Sequence, residues 1–517
     1  MNEKEAEILP VSAFFISAIS TKKFLDMIRQ LTILCFSVLC LFTMEAQTID
    51  DAIRYGKLSR SGSARGMGMG GALGAIGGDF GALSTNPAGI GMYKWNEVEL
   101  SPGLLLNSTS SELLNSQGGA TDETQFRFVV PAASYVYVKK LQSSRWTRRT
   151  LAVGVARVAD YNSAFTFNGR QDNSITNYFI DRSNFVNPDN LNASSPYVGL
   201  PAFDAFITTF DINTSTYFAD IDAGEVVNKN QTIVEKGGMD EISLTVGADY
   251  MNKLQLGASL SLPVLNFNQK KEYTETLDGH PIFRQLEFDE NLSAQGTGVN
   301  IKLGGKYIFA RKIHVSAAFH TPTWMRISEE FDNRANYTYV FSELFPNPGP
   351  QEGLSPLGAF EYQYRGPWRA IGGLGVIIGR AGVITAEAEF VNHKSSRFTI
   401  TDDPGYEELL NREIDQRLGS ALSVRTGIEL RPAEKLRIRG GVGLGQSIFA
   451  DADDIDLQYW TLGVGVWLSN SFFIDGAFRH EQIDQLYNPY ELNNATPEIA
   501  SDIGRNALVF TVGYRFF

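Results

Sequence analysis

The feature that most constrains this chain is a long period-two alternation. Ile242, Leu244, Val246, Ala248 and Tyr250 alternate with Ser243, Thr245, Gly247 and Asp249. After Met251, Asn252 and Lys253 the scheme restarts, with Leu254, Leu256, Ala258, Leu260 and Leu262 against Gln255, Gly257, Ser259 and Ser261. Alternation of this kind gives a strand one apolar and one polar face, and so short a connection makes the pair a hairpin. The pattern returns at Ile313 to His320, Leu436 to Leu444 and Leu462 to Leu468. A soluble β-sandwich alternates too. Several of these runs, however, reach the roughly 9 to 11 residues that a tilted strand needs to cross a bilayer, against about 5 to 6 for a soluble strand.

The start of the chain points the same way. Met27-Ile28-Arg29-Gln30 is a basic flank, Leu31 to Thr43 an apolar core, and Met44-Glu45-Ala46 a small-residue ending, which is the layout of a secretory signal peptide. We expect residues 1–46 to be a leader, with Met27 as the functional start and cleavage after Ala46. Both cysteines, Cys35 and Cys40, lie within it, which excludes a disulfide scaffold or a cysteine-based zinc module. Bulky Leu39 argues against Cys40 as a lipidation site. Mean hydropathy is −0.13, too polar for a helical membrane protein. An exported chain without a later long apolar run is either released or spans an outer membrane as a closed barrel. With 45 Lys+Arg against 58 Asp+Glu, nucleic-acid binding is not expected, because it needs concentrated basic residues.

Residues 64–91 are packed with glycine and alanine. Gly66, Gly68 and Gly71 formally satisfy a dinucleotide fingerprint, but Leu58 to Ser63 before it is no hydrophobic strand. A backbone so poor in side chains fits instead into a narrow space and adopts left-handed angles freely. With Ala64-Arg65-Gly66-Met67-Gly68 leading to Asn86-Pro87-Ala88-Gly89, the segment resembles the start of the FadL/TodX-type outer membrane transport proteins. The resemblance continues at Tyr364 to Arg369 and Arg425 to Pro432. The final strand adds to it: Leu508, Phe510, Val512, Tyr514 and Phe516 alternate with Val509, Thr511, Gly513 and Arg515 before Phe517 ends the sequence.

The resemblance implies an all-β fold, a transmembrane antiparallel barrel of about 14 strands in the cell outer membrane, with an N-terminal plug inside the lumen. We expect the plug over 47–93 and the barrel over 94–517, with large outer loops over about 171–238 and further loops at 326–353 and 401–419. It also implies plug and gate roles for Arg65, Gly66, Gly68, Asn86, Pro87, Ala88 and Gly89. Tyr514, Phe516 and Phe517 would form the signal read by the barrel assembly machinery. Tyr93, Trp95, Trp324, Tyr362, Tyr364, Trp368, Tyr459 and Trp460 sit near strand ends, where aromatics suit the membrane interfaces.

Catalytic patterns do not emerge. The five histidines lack the paired spacing of a zinc protease, and His314 and His320 share one strand face as expected lumen residues. Ser259 and Ser447 lack a nucleophile elbow. Asp451, Asp453, Asp454 and Asp456 resemble a calcium loop without its glycine, and read better as a solvated outer loop. No enzyme activity, cofactor or metal is expected. The expected function is passive, plug-gated admission of hydrophobic small molecules, either long-chain fatty acids or aromatic hydrocarbons, by a monomer surrounded by outer membrane lipid and lipopolysaccharide. The alternative is a barrel of this type serving a protein secretion or surface-attachment system through its outer loops.

Overall fold

The computed structural model describes residues 48–59, 62–142, 145–222, 224–340, 350–452, 455–492 and 496–517; the expected leader lies outside them. The chain forms a closed 14-strand antiparallel barrel. In order, the strands are β1 (Asn96–Leu113), β2 (Thr121–Lys140), β3 (Trp146–Asp160, continued as Ser163–Gln171), β4 (Val227–Tyr250), β5 (Leu254–Thr276) and β6 (Phe283–Phe309). Three interrupted strands follow: β7 (Ile313–His320 and Trp324–Tyr339), β8 (Gln351–Leu354, Gly358–Arg365 and Arg369–Ile378) and β9 (Gly382–Asn392 and Arg397–Thr399). Then come β10 (Ser420–Leu430), β11 (Leu436–Gln446), β12 (Ile455–Trp467), β13 (Phe472–Tyr487) and β14 (Ile499–Phe516). Each strand pairs with the next, and β14 closes on β1 from Asn96↔Phe516 to Leu113↔Ile499. Closure satisfies the backbone groups that a sheet edge would leave unpaired in hydrocarbon.

The two faces invert the arrangement of a soluble protein. Outward Ile242, Leu244 and Val246 are 47%, 49% and 53% exposed, whereas inward Ser243, Thr245 and Asp249 are buried. The same holds for outward Leu462 and Val464 against inward Thr461. An apolar exterior around a polar interior is what a bilayer selects. One end carries the short turns 251–253, 310–312 and 379–381, and the other the long connections, which orients the second end outward.

The expected loop over 171–238 spans 172–226 instead, because β4 begins at Val227. Likewise 326–339 belongs to β7 and 351–353 to β8. Both misassigned stretches lie where strands of 24, 23 and 27 residues (β4, β5, β6) rise beyond the membrane. No lipid imposes alternation there. The connection 172–226 contains helices Thr176–Ser183 and Gly199–Asp204, and with the strand extensions it builds an outer core around Phe167, Phe179, Phe283, Phe288, Tyr337 and Tyr490. Within it the Lys229 ammonium donates to the Asp172 and Asn173 carbonyls (2.8 Å each) and the Tyr490 hydroxyl (2.9 Å). Burial lowers its pKa to about 8.

The wall is uneven in two places. β2 pairs with β3 from Ala132↔Ala156 to Lys140↔Arg148, whereas its pairing with β1 continues outward to Thr121. Above Ala132 the wall between β2 and β3 therefore lacks a ladder. There β3 bends at Asn162, whose amide nitrogen donates to the Gly237 carbonyl (2.8 Å) while its oxygen accepts from Gly237 N–H (3.1 Å).

The second place is the outer part of β9, which has no ladder to β10 beyond Asn392↔Ser420. The helix of the following connection, Pro404–Arg417, fills that position. Asn411 accepts from the Phe398 N–H and donates to the Phe398 carbonyl, both at 2.9 Å, so one side chain imitates a neighbouring strand. Tyr406, Leu410 and Ile414 of the same helix pack into the lumen core. Asn411→Ala should leave both Phe398 groups unpaired, at about 1–3 kcal/mol. Limited proteolysis should then cut faster within 400–419 while the barrel keeps its heat-modifiable mobility; an unchanged cleavage rate would refute the bridging role.

Candidate functional site

The described residues of the N-terminal segment, 48–59 and 62–93, lie inside the barrel and touch inward-facing side chains around its circumference. Their first element, α1 (Ile49–Gly56), is amphipathic. Ile49, Ala52 and Tyr55 share a core with Phe267, Met325, Ile327, Tyr362, Tyr364 and Phe398 of the wall. Tyr364 donates to the Ala52 carbonyl (3.0 Å), the Tyr55 and Tyr362 hydroxyls meet at 3.4 Å, and the Arg54 guanidinium stacks 4.0 Å from the Phe267 ring centre. Tyr362 and Tyr364, expected at a membrane interface, thus face inward. So does Tyr459, which donates to the Gly70 carbonyl (2.8 Å). Tyr93 is buried as well.

Beyond α1 the segment is glycine against glycine. A Cβ on wall residue Gly257 would lie 2.3 Å from the Pro87 carbonyl oxygen, and one on Gly427 2.3 Å from that of Met69. On Gly441 it would lie 2.4 Å from Gly70 N, and on Gly304 2.0 Å from Asn86 Oδ1. Within the segment Gly77 has φ +65° and packs on Gly89 too closely for any side chain, a Cβ there meeting Gly89 Cα at 2.7 Å. Backbone groups in so irregular a segment need partners, and the wall supplies them. His320 Nε2 lies 2.9 Å from the Thr85 carbonyl, His314 Nδ1 3.3 Å from that of Ala75, and Lys306 donates to that of Ile76 (2.6 Å). Glu387 accepts from Gly74 N–H (2.7 Å) and Thr511 from Ala64 N–H (2.8 Å).

The residues singled out from the sequence fall into two groups. Arg65, Gly66 and Gly68 belong to the short helix α2 (Ala64–Gly68) beside β11 to β14. Arg65 pairs with Glu429 (3.2 Å) and donates to the Gly77 and Gly78 carbonyls (3.3 and 3.1 Å). Glu429 also takes Arg439 (3.0 Å), which reaches Asp475 (2.7 Å). Asn86, Pro87, Ala88 and Gly89 form a 3₁₀ turn beside β4 to β6. Asn86 caps that turn by accepting from Ala88 N–H (2.9 Å) and donates to the wall carbonyls of Gly305 (3.2 Å) and Ala317 (3.4 Å). Gly78 N–H to the Gly89 carbonyl (3.0 Å) joins the two groups. Tyr514 faces outward, and Phe517 packs edge-on against Trp95 at 4.7 Å.

Sequence reasoning missed the lumen cavity. About 280 Å³ lies between the segment and the wall, lined by Lys57, Arg425, Arg479, Glu481 and Arg505 among others. Apolar Ile53, Leu58, Val391 and Ile448 share the lining. Arg425 is held by Glu389 (3.0 Å) and Glu387, and Arg479 by Glu481. Lys57 has no ion pair among the described residues. Among the described residues no three His, Cys, Asp or Glu side chains are placed to hold a metal ion, and Asp453 and Asp454 of the acidic loop lie outside the description.

A closed barrel with an apolar exterior, a polar lumen and its own N-terminal segment inside defines a transmembrane barrel of the outer-membrane type. Its fold is that of a FadL homologue from Pseudomonas aeruginosa, with a TM-score of 0.51 at 11% identity over 89% of this chain and 100% of that one. The Pseudomonas putida toluene transporter TodX also aligns, at TM-score 0.49 and 12% identity over 88% and 98% of the two chains. So does the Ralstonia pickettii toluene transporter TbuX, at 0.44 and 15% over 89% and 99%. The sequence matches no family model and no curated protein.

The close approach at Gly257 is testable. Gly257→Leu should push the 86–89 turn off the wall and raise single-channel conductance in planar bilayers. Gly305→Leu, where a Cβ meets nothing nearer than Leu256 Cδ2 at 3.8 Å, should leave conductance unchanged. Equal conductance in correctly assembled Gly257→Leu would show that the segment does not rest there.

Proposed function

We propose that this barrel admits amphipathic small molecules with an anionic head, such as long-chain fatty acids, across the outer membrane by passive diffusion gated by residues 48–93. The observation carrying this reading is the lumen cavity, in which apolar Ile53, Leu58 and Val391 adjoin the basic groups of Lys57, Arg425, Arg479 and Arg505. A carboxylate finds charge-assisted donors there, and the tail finds apolar surface. A neutral aromatic hydrocarbon would leave Lys57 without an ion pair, since Arg425, Arg479 and Arg505 already face Glu387, Glu389 and Glu481.

The gate is the N-terminal segment itself. Beyond α1 and apart from the Arg65–Glu429 pair, its wall contacts are mostly dispersed single hydrogen bonds and glycine packing, which favours rearrangement over rigid closure. Arg65 ties one half to β10 and Asn86 the other to β6 and β7. Release would follow the stretch above Ala132 where β2 and β3 share no ladder, a sideways route for a solute that partitions into lipid. The FadL homologue, whose fold this chain shares, supports a transport role.

Uptake of radiolabelled oleate by cells bearing the protein should exceed that of cells without it. In Lys57→Met the initial rate should fall about tenfold, the loss of one hydrogen bond to a charged group, while uptake of a neutral aromatic hydrocarbon should not change. Equal loss for both solutes would point to a displaced segment rather than head-group recognition. No protein-dependent uptake of either would refute transport and favour partner capture by the outer loops.

A further inference from the structure

The apolar exterior of β7, β8 and β9 ends in an aromatic step. Trp368 packs between Phe319 (6.0 Å) and Phe390 (5.5 Å), both outward-facing. Just above, all three strands are interrupted, at 321–323, 366–368 and 393–396. When pairing resumes, the register sets Trp324 opposite Arg365, Arg326 opposite Gln363, and Arg365 opposite Arg397. Trp324, Arg326 and Arg365 are exposed, and Arg397 is half-buried. Two arginines directly opposed on one sheet face repel each other. A cleft of about 310 Å³ opens between them, lined by Trp324, Gln363, Arg365, Arg397 and Thr399 on its outer side.

The compensation for these charges is partial. Arg397 donates through Nη2 to Asp415 (2.8 Å) and through Nη1 to the Lys394 and Ser396 carbonyls (2.8 and 2.7 Å). Glu407 also lines the cleft, and one of its oxygens accepts from Ile400 N–H (2.8 Å). Arg365 reaches the Ser395 carbonyl at 3.4 Å, and Arg326 has no ion pair among the described residues. Two other arginines of the outer wall are matched, Arg157 by Asp240 (2.9 Å) and Asp160 (3.2 Å) and Arg334 by Asp289, whereas exposed Arg170 and Arg284 have no ion pair among the described residues. On β5 the apolar band ends in neutral Asn266 and Asn268.

We propose that this cleft binds the phosphate group of an outer-leaflet lipid, as found on lipid A. Arg365 supplies a planar donor fork that matches phosphate geometry, Arg397 adds positive charge to the cleft lining, and Arg326 flanks the cleft across the ladder from Gln363. The Phe319, Trp368 and Phe390 step lies against the acyl chains below. The height is the expected one, since aromatics mark the membrane interface and basic groups just beyond it meet anionic head groups. The bound phosphate relieves the Arg365–Arg397 repulsion and anchors the barrel beside the position filled by the helix Pro404–Arg417.

The test is native mass spectrometry of the full protein, titrated with bis-phosphorylated lipid A, fully dephosphorylated lipid A or inorganic phosphate. The wild type should retain the phosphorylated form, and Arg326→Gln/Arg365→Gln should weaken retention about tenfold or more. Arg326→Lys/Arg365→Lys should recover part of it, and Arg311→Gln/Arg380→Gln at the opposite rim should match the wild type. Should the double glutamine variant fail to assemble, exposed Arg326→Gln alone should weaken retention in the same direction. Equal retention by the variants, or of dephosphorylated lipid A, overturns the proposal. Displacement by inorganic phosphate at equal concentration also overturns it, by making the cleft a free-anion site.

Discussion

Hydrocarbon offers no hydrogen bonds, so every backbone N–H and C=O within it needs a partner from the chain. The whole architecture follows from that requirement. Along the wall it is met by the ladder and by the closure of β14 on β1. Where the ladder stops between β9 and β10, the Asn411 carboxamide stands in for a strand. Inside, residues 48–93 have little regular structure, and inward side chains as far apart in sequence as Lys306, Glu387 and Thr511 take up their backbone groups one at a time. A polar lumen is therefore a structural necessity before it is a functional one.

The period-two pattern made the barrel legible because lipid on one side and a filled lumen on the other constrain every residue between them. Beyond the bilayer that constraint lapses, and the reading lapsed with it: Val227 to Gly238 carries polar residues on both faces and looked like loop. The aromatic assignments failed for a sharper reason. Tyr364 and Trp368 have the same parity, yet Gly366 and Pro367 break the strand between them, so Tyr364 turns in to α1 while Trp368 packs outside. Tyr459 and Trp460 are consecutive on one strand, so only one could face lipid. That much was available from the sequence.

The lumen cavity was beyond reach for a different reason. Lys57 belongs to the N-terminal segment and Arg505 to the last strand, and they meet only because the sheet closes with one particular stagger. Local sequence carries no trace of that register. The glycines are an intermediate case. Their abundance in 64–91 announced a tight fit, but the partners Gly257, Gly304, Gly427 and Gly441 look like ordinary strand glycines until the segment is seen against them.

The lumen and the outer wall place charge by the same rule at different depths. Inside, Arg65, Arg425 and Arg439 are matched to Glu429, Glu387, Glu389 and Asp475, since an unpaired charge among buried groups is costly. At the outer rim water tolerates an unpaired guanidinium, and matching becomes optional. Arg157 and Arg334 are matched there, and Arg397 by Asp415, whereas Arg365, set across the ladder from Arg397, has no ion pair among the described residues. Folding alone gives no reason to align two like charges across a ladder. An anion present in the surrounding leaflet does.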